Sequence, residues 1–195
     1  EQGSVPKASI RCLASPRSAG TQRAYAGEKI DINLLREEAL QGLDVVLMAA
    51  GAEISREWAP IAVAAGASVI DNSSAFRRDH SIPLVIPEVN GNTLGSFRTP
   101  GIIANPNCST IITLMAVAPI HHAAHIKRMS VATYQAVSGA GASAMTELEE
   151  QARAYARGES PTSEVLPSQA LFNVFSHESP IGTDGFNEEE RKLRF

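Results

Sequence analysis

The stretch Asp44-Val45-Val46-Leu47-Met48-Ala49-Ala50-Gly51 constrains this chain more than any other. It is an apolar run of strand length closed by a glycine, the pattern of a parallel strand buried on both faces. Glu53–Ala65 follows with helical periodicity, and Ala67-Ser68-Val69-Ile70-Asp71 reads as the next strand. Upstream, Ile10–Ala14 is expected to be a strand, Ser15–Gly20 a turn and Asn33–Leu43 a helix. Strands separated by helices need crossover connections, so the first hundred residues predict a parallel α/β sheet. Ligands of such sheets sit beyond the carboxyl ends of the strands. Those ends are Ser15–Ser18, Ala50-Gly51 and Asn72-Ser73-Ser74.

After this region the character changes. Asn105-Pro106-Asn107-Cys108-Ser109-Thr110 sets one of only two cysteines where a polar turn opens a long apolar helix pattern, Ile111–Ala124. Free backbone N–H groups and the helix dipole favour negative charge at such a start. The thiolate is the form of cysteine that attacks carbonyl carbon, so Cys108 is the candidate nucleophile. The alternative is a small buried thiol capping a core helix. The crowd of Asn, Ser and Thr around it suits a site that must hold a developing oxyanion instead.

Further on, Ile126–Val137 alternates well enough for a long strand and ends at Ser138-Gly139-Ala140-Gly141-Ala142. Met145–Arg157 predicts a helix with acidic residues near its start, as the dipole prefers. Gly158–Gln169 is loop-like, and Asn187–Phe195 reads as the opening of a helix. A boundary near residue 105 divides the chain into 1–105, a partial Rossmann-like domain, and 106–195, part of an α+β domain leaning to antiparallel pairing.

Composition narrows the function classes. At 195 residues, 44% hydrophobic and 19% charged, the chain has the make-up of an ordinary globular protein. A net charge of −4 with no clustered Lys or Arg argues against nucleic acid. No apolar run reaches the roughly 18 residues of a membrane span. Two widely spaced cysteines fit a reducing compartment with no disulfide framework. His121, His122 and His125 have metal-like spacing but no carboxylate or cysteine beside them, so they read as a polar helix face and no metal is expected.

Five ordered blocks now stand together: Leu13–Gly20, Asp71–Arg77, Pro83–Asn90, the Cys108 run and Thr133–Gly141. In these blocks the chain resembles aspartate-semialdehyde dehydrogenase, from residue 13 to about 141, with a looser match to the end. The resemblance implies an NADP-dependent phosphorylating oxidoreductase of lysine, threonine and methionine biosynthesis. It would reduce aspartyl 4-phosphate to aspartate 4-semialdehyde, releasing phosphate, through a thioester on Cys108. Gln135 would orient the substrate and Asn107 would help to stabilise the tetrahedral oxygen. Arg77 matches the phosphate-binding arginine, and a permanently charged planar fork suits that task.

Glu189 and Lys192 look like the substrate-binding and phosphate-binding pair; their i, i+3 spacing puts both on one helix face, as a mixed-charge helix also would. Ser15, Arg17 and Ser18, after a strand end, favour NADP over NAD, with Gly51, Ser138 and Gly139 completing the cofactor set. The resemblance further implies a homodimer or higher homo-oligomer in the cytoplasm, a plastid being open. The family's Gly-rich pyrophosphate loop and catalytic histidine match nothing in these 195 residues. An internal fragment with little or no activity of its own is therefore expected. Two alternatives stay open: a neighbouring acyl-phosphate reductase of the N-acetyl-glutamyl-phosphate type, and a catalytically silent dimerisation module.

Overall fold

A computed structural model describes residues 9–177 and 179–194. The chain divides into two compact units, Glu1–Pro106 and Asn107–Phe195.

In the first unit, β1 (Cys12–Ala14) runs parallel to β3 (Glu28–Leu34), and β2 (Gln22–Tyr25) pairs antiparallel to β3. The helix expected over Asn33–Leu43 shrinks to α1 (Glu37–Leu40), and Asn33 and Leu34 instead end β3. The reason lies just upstream. Ile30, Ile32 and Leu34 alternate with Lys29, Asp31 and Asn33, and Ala26-Gly27 takes positive φ at both residues, 50° and 82°. Two such residues make the tight turn whose twist matches a hairpin. An alanine in the first of those places hid the signal.

The second sheet of this unit is wholly parallel, in the order β4 (Val45–Met48), β5 (Ser68–Asp71), β6 (Ile102–Ala104). Between β4 and β5 the chain crosses through α2 (Ala52–Ala64), as the strand–helix–strand pattern predicts. Leu40, Met48, Ala59, Ala62, Ala67 and Val69 form the core beneath it. The expectation that β4 is buried on both faces does not hold. Met48 is buried, but Val45 and Leu47 are 53% and 73% exposed, because α2 covers one face of the strand only. β6 is a further strand beyond those expected; three residues carry too little pattern to announce it. α3 (Pro87–Asn90) lies between β5 and β6 and leads into a 3-10 turn at Gly91–Ser96.

The second unit is helical among the described residues: α4 (Cys108–Ala124), α5 (Ala142–Ala156) and α6 (Glu188–Arg194). Phe195, the last residue of the expected terminal helix, lies outside the described residues. The strand expected over Ile126–Val137 does not form among them; 125–136 is irregular and leads into a 3-10 turn at Val137–Ala140. Alternation creates a face, but a strand also needs a partner's ladder of hydrogen bonds, and no strand among the described residues pairs with this segment. The loop after α5 is pinned by two of that helix's side chains. Glu147 accepts the N–H groups of Glu164, Val165 and Leu166. Gln151, one turn on and 2% exposed, donates to Thr162 O and Ser163 Oγ and accepts from the N–H groups of Ala170 and Leu171. No helix of the described residues is long and apolar enough to cross a membrane.

Candidate active site

Cys108 is the first residue of α4, and its side chain is exposed. Asn107 is the cap before it: its Oδ1 accepts the N–H of Thr110 at 3.2 Å, satisfying one of the helix's orphan donors. Helix geometry leaves the Cys108 and Ser109 N–H groups outside the ladder at the same turn. The sequence therefore folds a thiol, and donors for an oxyanion, into one helix start.

Three more of the expected residues gather at Asn107. Its Nδ2 donates to Glu189 Oε1 at 2.9 Å, and Gln135 Nε2 donates to the same oxygen at 3.2 Å. Lys192 Nζ reaches the other oxygen, Oε2, at 3.2 Å. Thr110 Oγ1 donates to the Lys192 carbonyl at 3.1 Å, tying α6 to the first turn of α4. Asn107 and Glu189 are each 8% exposed. Burial by itself pushes the Glu189 carboxyl up; the hydrogen bonds from Asn107, Gln135 and Lys192, with the charge of Lys192, outweigh it and hold the group below its ordinary value. Glu189 is thus an ionised hub. Asn107, with its oxygen on the cap and one N–H on the hub, retains a single N–H for any other acceptor.

In the first unit, Arg77 joins the ends of two parallel strands. Its Nε donates to Asn105 O at 2.8 Å, just past β6, and its Nη2 to Asn72 O at 3.1 Å, just past β5. Asn105 Nδ2 donates to Asn72 Oδ1 at 2.6 Å across the same edge. Buried Asp71 shapes the loop that carries Arg77 by accepting the N–H and Oγ–H of Ser73. The sequence placed Asn72 at a strand end and Asn105 in the Cys108 run, but their pairing depends on β5 and β6 lying side by side.

The expected cofactor residues fall at turns. Ser15 O accepts the N–H groups of Ser18 and Ala19, closing the turn after β1, and Arg17 is exposed on it. Gly51 caps α2 at φ 95°, a backbone setting that a side chain would strain. Ser138 and Gly139 are exposed in the 3-10 turn before α5. A cation with two hydroxyls after a parallel strand fits a nucleotide's phosphorylated ribose in donor chemistry. The histidines at the end of α4 touch one another edge to face, and among the described residues no cluster of His, Cys, Asp or Glu could hold a metal.

Fold and site define a protein of two parts, one an α/β unit built on a parallel crossover sheet, the other a helical unit presenting a thiol at a helix start beside an ionised carboxylate–amide hub. The semialdehyde dehydrogenase NAD-binding domain model matches residues 2–97, and the semialdehyde dehydrogenase dimerisation domain model matches residues 117–194. An aspartate-semialdehyde dehydrogenase of Synechocystis is 46% identical over 188 residues, covering 96% of this chain and 55% of the relative. That of Aquifex aeolicus is 43% identical over 197 residues, covering 100% of this chain and 58% of the relative. The crystal structure of aspartate semialdehyde dehydrogenase II from Vibrio cholerae matches with a TM-score of 0.88 and 41% identity over 94% of this chain and 55% of that one. A second structure of that enzyme, complexed with ASA, matches at 0.88 and 40%, with the same coverage of both chains. The chain belongs to the aspartate-semialdehyde dehydrogenase family. It spans a little over half the length of these relatives.

Proposed function

We propose that this chain carries the acyl-transfer half of an NADP-dependent aspartate-semialdehyde dehydrogenase, with Cys108 as nucleophile. The observation that carries the reading is the exposed Cys108 on the capped first turn of α4, next to the Asn107–Glu189–Gln135 hub. In the biosynthetic direction the Cys108 sulfur attacks the acyl carbon of aspartyl 4-phosphate. The tetrahedral oxygen draws on the Cys108 and Ser109 N–H groups and on the remaining Asn107 N–H, a kind of contact worth about 3 kcal/mol per donor. The carbon–oxygen bond to phosphate then breaks, leaving a thioester on Cys108 and inorganic phosphate. A nicotinamide cofactor, when bound, supplies the hydride that reduces the thioester to the aldehyde.

Gln135, fixed by Glu189, orients the substrate, and Glu189 and Lys192 bring one negative and one positive charge to the same helix face. Arg77, anchored through Nε and Nη2 at the strand ends, is the phosphate-binding residue of this reading. Ser15, Arg17, Ser18, Gly51, Ser138 and Gly139 form the cofactor set, and the cation and hydroxyls after β1 favour NADP. The matched ASA complex and the dimerisation-domain model support a small-molecule substrate and a homo-oligomer. A cytoplasmic enzyme of lysine, threonine and methionine biosynthesis is the matching physiological role.

Acylation tests the reading without requiring a complete turnover. Incubated with aspartyl 4-phosphate, the chain should gain the mass of one aspartyl group on the Cys108 peptide, in a hydroxylamine-sensitive bond. Cys108→Ala should gain none. Equal labelling of the variant, or no labelling of the native chain, rejects it.

A further inference from the structure

Glu189 reaches the Cys108 turn from the first turn of α6, Glu188–Arg194. Backbone hydrogen bonds within a helix do not set the direction in which it points, so the placing of α6 depends on what holds its first turns. Part of it comes from a reciprocal cap: Asn187 N–H donates to Glu190 Oε2 at 2.8 Å and Glu190 N–H to Asn187 Oδ1 at 2.9 Å. That cap starts the helix but leaves its rotation and tilt open.

The opposite side of α6 supplies what is missing. Arg191 donates from Nε to Asp184 Oδ2 at 3.0 Å and from Nη2 to Asp184 Oδ1 at 2.6 Å, a two-pronged fork. Asp184 sits in a tight turn, closed by Gly182 N–H on Phe186 O and by Gly185 N–H on Gly182 O, and it also accepts the Phe186 N–H. The guanidinium lies directly against Gly182: a Cβ built there would fall 1.7 Å from Arg191 Nη2 and 2.9 Å from its Cζ. Only glycine leaves that place for the fork. Single-contact ion pairs at the surface contribute little, but a planar fork fixes direction as well as distance.

We propose that Gly182, Asp184 and Arg191 are positioning residues, a lock that sets the angle of α6 and so holds the Glu189 carboxylate on Asn107 and Gln135. The turn is a keyway, the guanidinium the key, and the hub two residues away on α6 is what the lock aligns. Its meaning for catalysis rests on the Cys108 reading above. Its existence does not.

Two substitutions in the full chain separate the lock from simple stabilisation. Arg191→Lys keeps the charge and removes the fork; Gly182→Ala keeps every charged group and expels the guanidinium. The readouts are the NMR titration of Glu189 and the hydrogen exchange of the Asn107 and Gln135 side-chain amides, both measured in folded protein. In either variant the Glu189 midpoint should rise towards its ordinary value. The two amides should exchange about tenfold faster, the order expected when a net charge-assisted hydrogen bond is lost. Arg153→Lys, which alters an exposed pair with Glu149 on α5, should move neither signal. If Gly182→Ala does not fold, Arg191→Lys decides alone. Unchanged Glu189 and amide signals in a folded Arg191→Lys chain overturn the lock. Because these signals do not involve the thiol, failed acylation of Cys108 would reject the functional reading while leaving the lock intact.

Discussion

Cys108 and Cys12 show how far a residue's surroundings set its chemistry. One is exposed at a capped helix start; the other is half-buried in β1. Iodoacetamide should therefore label Cys108 first, by about an order of magnitude in rate if exposure governs access. Peptide mapping after partial labelling reads this directly, and equal labelling of both would count against it. The cysteine, its polar neighbours and Gln135 were legible from the motif. The convergence of Asn107, Gln135 and Lys192 on one carboxylate was not, because Gln135 lies 54 positions from Glu189 and Asn107 lies 82. Gln151 went unnoticed for the same reason. A glutamine with helical spacing looks like a surface residue until the loop folds over it. Gln151→Leu leaves the Ala170 and Leu171 N–H groups and the Thr162 carbonyl without their partner. It should cost at least about 2 kcal/mol in urea unfolding, since each buried unsatisfied group costs about 1–3 kcal/mol.

Among the elements, α5 and its following loop depend most visibly on charge. The Val165 N–H draws the Glu147 carboxyl below its ordinary value of 4.5; burial opposes this, and the Glu164 and Leu166 N–H groups add to it. A carboxyl with a lowered folded value contributes stability that is fully present above its unfolded value and is lost as pH falls through the folded one. Stability should accordingly hold flat above about pH 4.5 and decline below it. Denaturation midpoints measured down the pH scale check this, with Glu147→Gln expected to be less stable at neutral pH and to show a shallower decline. The sequence placed acidic residues near the start of this helix and credited the dipole. The structure credits three N–H groups from residues 17 to 19 positions downstream. The β2–β3 hairpin and the missing strand at 126–137 teach the same lesson from opposite sides. Alternation of apolar and polar residues names a face, while the turn geometry and a pairing partner decide whether a strand exists.

At the scale of the molecule, exposed apolar side chains are conspicuous in the second unit: Ile112, Met115 and Ile120 on α4, and Met129, Val131 and Tyr134 in the segment after it. The dimerisation-domain model matched over residues 117–194 supports the homo-oligomer proposed above. Sedimentation at rising concentration should show a mass above that of one chain; a single-chain mass at every concentration would contradict the proposal. Local order was what the sequence could determine unaided: the α2 crossover between β4 and β5, the helix start at Cys108, and the i, i+3 placing of Glu189 and Lys192. These rest on interactions between near neighbours, whose geometry the chain's own periodicity and caps dictate. The open face of β4, the strand-end seat of Arg77, the Glu189 hub and the Gly182–Asp184–Arg191 contact were decided only by tertiary structure. Each joins groups whose meeting depends on closing a long loop of chain, and no local preference encodes which distant partner fills the space or completes the hydrogen bond.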